Sequence, residues 1–90
     1  MRYALRENIQ IDTFSDGEAV VYDQEKEMIH VLNITAALVL KTLIETDEDP
    51  LGTFIQNILN NDPDVSEAVL EKDFRNIVNS FIDAELITVW

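Results

Sequence analysis

The spacing of apolar residues changes period once, at Leu32-Asn33, and that change constrains the fold more than any other feature of the chain. Before it, apolar residues alternate or form short β-branched runs; after it, they recur every three or four positions. Strands first and helices afterwards imply an α+β fold. Ninety residues leave room for a single core, so residues 1–90 read as one domain.

Three strands are expected. Ile9 and Ile11, with Phe14 as a candidate third, alternate with Gln10 and Asp12 at the period of a half-buried strand. Ser15-Asp16-Gly17-Glu18 reads as a turn, with Gly17 free to take a positive φ. Ala19-Val20-Val21-Tyr22 and Met28-Ile29-His30-Val31-Leu32 make the second and third strands, joined by the polar Asp23-Gln24-Glu25-Lys26-Glu27. Connections this short favour an antiparallel meander, because parallel neighbours need a long crossover. The second and third strands are apolar on both faces. One face should meet the helices, and the other asks for a cover that a small chain does not readily supply.

Three helices should follow. Asn33 reads as an N-cap for a helix over about 34–46 that is apolar nearly all round, hence central. Asp47-Glu48-Asp49-Pro50 breaks it and opens the next helix, with Asp49 as cap and Pro50 in the first turn. Leu51, Phe54, Ile55, Ile58 and Leu59 form that helix's apolar stripe. The third helix begins either with a capping box at Asp64-Val65-Ser66-Glu67 or with Ser66 itself as cap. Its expected core face is Leu70, Phe74, Ile77, Val78, Phe81 and Ile82, and Leu86 to Trp90 reads as an extended tail with room for a further strand.

Charge and residue types exclude several functions. Six Lys+Arg against eighteen Asp+Glu give a net charge of −12, which opposes nucleic acid and anionic membranes, whose affinity comes from Lys and Arg. The absence of cysteine suits a reducing cytoplasm and removes thiolate metal sites and thiol nucleophiles. The longest apolar stretch, Ala36 to Leu40, is far too short to span a membrane, and the first residues show no signal-peptide run. His30 is the only histidine, and no pattern gives it a nucleophile or an orienting partner. The alternating carboxylates Asp23, Glu25 and Glu27 lack the glycine and terminal glutamate of a calcium loop, so a solvated turn is the simpler reading. Gly17 and Gly52 are isolated and make no phosphate-binding loop. No catalysis, metal or cofactor is expected.

The informative constellation is a surface. Ala68, Lys72, Arg75, Asn76 and Asn79 line one polar stripe of the third helix. The Arg75 fork suits a carboxylate, either one brought by a ligand or one on its own helix, where Glu67, Glu71 and Asp73 are at hand. The third strand, last in the meander, can leave an edge open to an extended peptide.

Val20-Val21-Tyr22-Asp23, then His30-Val31-Leu32-Asn33, then Thr35-Ala36-Ala37 resemble the PqqD-like family, whose hallmark is a strand ending in Leu-Asn, a variable residue, Thr or Ser, then Ala. The resemblance runs from about Ile11 to Ile87. It implies a winged-helix-like fold, a three-stranded antiparallel sheet followed by three α-helices. It further implies a non-catalytic peptide chaperone. The leader of a ribosomally made precursor would add as a strand to the third strand, beside the third helix, for presentation to a modifying enzyme such as a radical-SAM enzyme, a cyclase or a leader peptidase. Carried over by position, the peptide-binding residues are Met28, Ile29, His30, Val31 and Leu32 along the edge, with Val69, Lys72, Arg75, Asn76 and Asn79 lining the groove. Thr35 to Leu40 also looks like the stand-alone members that serve lasso-peptide pathways. The glycines that such proteins often carry after the first helix and near the end of the third are replaced here by Asp47-Glu48-Asp49 and by Ala84-Glu85. The competing class is an acidic adaptor or inhibitory subunit that masks a basic protein partner. A DNA-binding reading fails on the third helix, where Glu67, Glu71, Asp73, Asp83 and Glu85 would repel phosphates.

Overall fold

The computed structural model describes residues 2–46 and 48–90; Met1 and Asp47, the latter part of the expected helix break, lie outside the described residues. The chain runs β1 (Tyr3–Leu5), β2 (Ile9–Thr13), β3 (Ala19–Asp23), β4 (Met28–Leu32), α1 (Ile34–Glu45), α2 (Pro50–Asn61), α3 (Glu67–Asp83) and β5 (Ile87–Val89). Strands β2, β3 and β4 form the expected antiparallel meander, in that spatial order. A second, two-stranded ribbon pairs β1 with β5, Tyr3 opposite Val89. Its β5 answers the expected extended tail, whereas the apolar spacing gives no sign of β1.

The turns follow from local chemistry. Phe14 lies past the end of β2 rather than within it, and its N–H donates to the Glu18 carbonyl at 2.8 Å to close the first hairpin. Gly17, at φ 95°, supplies the left-handed residue this turn requires. In the second hairpin Glu27 takes that role at φ 53°.

Helix ends carry most of the departures. The Asn33 side chain accepts the Ala36 N–H at 2.8 Å, so the first cap forms as expected. Asp49 caps α2 from a left-handed conformation, accepting the Gly52 N–H at 3.0 Å. A Cβ at Gly52 would run into the Asp49 carboxylate, so this glycine makes room for its own cap. Ser66 occupies the N-cap position of α3 but its side chain makes no capping bond, and the alternative start at Asp64 does not form. At the far end the Glu85 N–H donates to Ile82 and the Leu86 N–H to Phe81, both at 3.0 Å. These two bonds make a Schellman ending whose left-handed residue is Glu85, at φ 58°, where glycine is usual.

The core is built from Val21, Val39, Leu40, Leu43, Phe54 and Leu86, all essentially inaccessible. The Phe54 and Phe74 rings join α2 to α3 at a centroid distance of 5.4 Å. Helix α1 packs against β1, β4, α2 and α3, as a central helix should. It is not covered all round, however. Ile34 and Ile44 are exposed and border an open apolar cleft of about 600 Å³, which Leu38 also lines. Ile82, expected in the core face of α3, is exposed as well.

Candidate peptide-binding edge

Strand β4 ends the sheet, so among the described residues the backbone groups on its outer side have no partner strand. Registration against β3 sorts its side chains. Leu32, His30 and Met28 stand opposite Ala19, Val21 and Asp23, the buried residues of β3, and therefore share the face turned to the helices. Val31 and Ile29 stand opposite Val20 and Tyr22 on the other face, where they are 70% and 64% exposed. The five residues expected from sequence thus form one edge but divide between two faces. Those on the outer face can serve an added strand through their backbone alone.

On α3, Val69, Lys72, Arg75, Asn76 and Asn79 are all exposed, as a ligand-facing stripe requires. The core-facing Leu70, Phe74 and Val78 hold the helix in place from its opposite side. The Arg75 fork is already engaged: its Nη2 and Nε donate to Glu71 Oε1 at 2.9 and 3.2 Å, one turn back on the same helix. Both side chains are largely in solvent, so this pair contributes only about 0.3–0.5 kcal/mol. Lys72 has no ion-pair partner among the described residues. A second surface ion pair joins Lys26 to Glu85 at 3.2 Å, tying the β3–β4 turn to the end of α3.

Sequence reasoning missed the residue that holds this turn. Asp23, expected in a solvated connection, is fully buried at the end of β3. Its Oδ1 accepts three hydrogen bonds, from Asn8 Nδ2 at 2.8 Å and from the Glu25 and Lys26 N–H groups at 3.0 and 3.1 Å. The Lys26 N–H above all, then Asn8 and Glu25, hold its carboxyl below the ordinary range against the opposing effect of burial. The visible signal was an Asp whose side chain can reach donors two and three residues on. Asp23 thereby fixes the turn that leads into β4.

The apolar cleft beside α1 shares only Leu32 with the expected site residues. Among the described residues no group of three or more His, Cys, Asp or Glu side chains is placed to hold a metal ion, and no helix is long and apolar enough to cross a membrane.

The architecture is that of a small α+β domain, a three-stranded antiparallel sheet followed by three helices, whose sheet ends in an open edge strand. The chain belongs to the family described as Coenzyme PQQ synthesis protein D (PqqD), whose model matches residues 18–87. No curated protein matches it. Two solved structures share its fold. One is described as lasso peptide synthetase B1 complexed with the leader peptide; it aligns with a TM-score of 0.81 and 22% identity over 99% of this chain and 100% of its own. The other, TbiB1 in complex with the TbiA(beta) leader peptide, gives a TM-score of 0.80 and 16% identity over 100% of this chain and 98% of its own.

Proposed function

We propose that this chain, as a single domain, captures the leader segment of a ribosomally made precursor peptide and presents it to a modifying enzyme, without catalysis of its own. The observation that carries the reading is the β4 edge, unpaired among the described residues, in a PqqD-family fold that two solved structures described as leader-peptide complexes share. The first of those structures also favours a lasso-peptide pathway. The receiving enzyme in this reading is a radical-SAM enzyme, a cyclase or a leader peptidase, and the setting is the cytoplasm.

The leader adds as a strand along Met28 to Leu32, where backbone hydrogen bonds set its register. Its inward side chains turn to the side of the sheet that carries the helices, toward the exposed α3 stripe of Val69, Lys72, Arg75, Asn76 and Asn79. Lys72 offers a cation with no ion-pair partner among the described residues, and Arg75 takes a leader carboxylate by giving up Glu71, an exchange made cheap by the exposure of that pair. At −12 the chain as a whole opposes an acidic leader, so these two cations act as local hooks.

Proline substitution tests the edge. Neighbouring N–H groups in a strand point to opposite sides, so one of Ile29 and His30 donates toward β3 and the other toward the peptide. Titrated with the leader of the neighbouring precursor gene, one of Ile29→Pro and His30→Pro should fold normally and lose binding, while the other loses β3–β4 pairing. Two folded variants that both bind the leader like the parent would overturn strand addition.

A further inference from the structure

The outer face of the β2–β3–β4 sheet carries a second surface that peptide capture does not use. Antiparallel sheets with one solvated face usually alternate apolar residues inside with polar residues outside. Strand β2 obeys, presenting Gln10 and Asp12 outward. Strands β3 and β4 do not. Val20 pairs with Val31 and Tyr22 with Ile29, so the four side chains make one contiguous apolar quartet. Tyr22 is 37% exposed, beside the still more open Ile29 and Val31. None of the four belongs to the core, and no helix among the described residues covers them.

The surroundings specify what would. Between Glu7 and Leu40 the one Lys or Arg is Lys26, and its ammonium is occupied by Glu85. Asp12, Glu18 and Glu27 lie in or next to the outward-facing positions of the three strands. The patch is therefore an apolar centre with an acidic border. A second copy would bring an identical acidic border against it, from a chain that also carries −12. The complementary surface is a protein face with an apolar centre and a border of Lys and Arg. The quartet stops at the polar β2 on one side but runs to the open β4 edge on the other. A strand added there would continue the same face with its own outward side chains.

We infer that the outer sheet face formed by Val20, Tyr22, Ile29 and Val31 is the docking surface for the modifying enzyme, which meets it through a basic-rimmed apolar patch and reads chaperone and captured peptide as one surface. The assignment of the partner rests on the peptide-presenting function proposed above.

Calorimetric titration separates the two activities. The probes are the leader peptide and the modifying enzyme encoded beside this chain, each titrated against the whole protein. Val20→Thr/Tyr22→Thr, both on β3 and away from the peptide edge, keeps strand-compatible side chains and should weaken enzyme binding about tenfold or more while leaving leader affinity within about twofold. Tyr22→Lys, at the more exposed of those two positions, should have the same effect and replaces the double variant if that one melts early. Raising salt should weaken the enzyme complex of the parent, and Asp12→Asn should reduce that salt dependence. Enzyme binding that is absent in the parent, or unchanged in both variants, overturns the proposal. So does sedimentation showing that the face pairs two copies of this chain. A parent that binds the enzyme through this face but not the leader would instead sink peptide capture and spare the docking surface.

Discussion

Val21 and Val31 are the same residue type in adjacent strands of one sheet, yet the first is wholly inaccessible and the second is 70% exposed. Hydrophobicity does not distinguish them. The difference is the layer above: the inner face is covered by helices, and the outer face by no described element of this chain. The inner face is therefore bound to the fold, whereas the outer face and the β4 edge are free to make contacts without cost to the core. A region can be altered for function only where its side chains are not already holding the structure together.

Truncation on the two sides should break the comparison if it is wrong. Leu40→Ala empties a fully buried site on α1 and should cost about 2–5 kcal/mol, a large part of the stability of a domain this size. Val31→Thr on the outer face should shift chemical denaturation by no more than about 0.5 kcal/mol. Equal losses would mean that the outer face is part of the core.

A smaller effect should appear with acid. The Asp23 carboxyl titrates below its ordinary value of 3.8 in the folded chain, chiefly through the Lys26 N–H. Its contribution is thus complete above that ordinary value and is lost as pH falls through the lower, folded one. Asp23→Asn should be less stable than the parent near neutral pH, and the gap should narrow as pH drops below 3.8. A gap that widens on acidification would reverse the assignment of its hydrogen bonds.

Glu85→Gly sharpens the picture at the end of α3. Glycine removes the roughly 1 kcal/mol cost of a left-handed side-chain-bearing residue. It also removes the exposed pair with Lys26, worth about 0–1 kcal/mol. Thermal melting should show a small net gain, at most about 1 kcal/mol; a clear loss would make the Lys26–Glu85 pair the stronger of the two effects.

Much of this organisation was legible because it is local. The period change at Leu32-Asn33, the Asn33 cap and Pro50 in the first turn of α2 depend on residues within one turn of each other. The ribbon of β1 and β5 was not legible: three residues are too few for a pattern, and their partners lie at the other end of the chain. Asp23 reads as a solvated turn residue until Asn8, fifteen positions earlier, is brought beside it. Ile34 and Ile82 look like core from spacing alone, since spacing does not say which side of a helix is covered. The β4 edge was visible as a strand apolar on both faces, but the division of its residues between faces needed the register with β3. For Arg75 the sequence allowed both an external carboxylate and one on its own helix, and the free chain uses Glu71.

Amide hydrogen exchange, with and without the leader peptide, tests the central claim most directly. A strand added at β4 protects the outward N–H groups within Met28–Leu32, and docking of its side chains slows exchange along α3 from Val69 to Asn79. The account predicts new protection confined to those two segments, with β2 unchanged. Protection gained at β2, or around the apolar cleft beside α1, with β4 unaffected, would contradict it even if the peptide binds tightly.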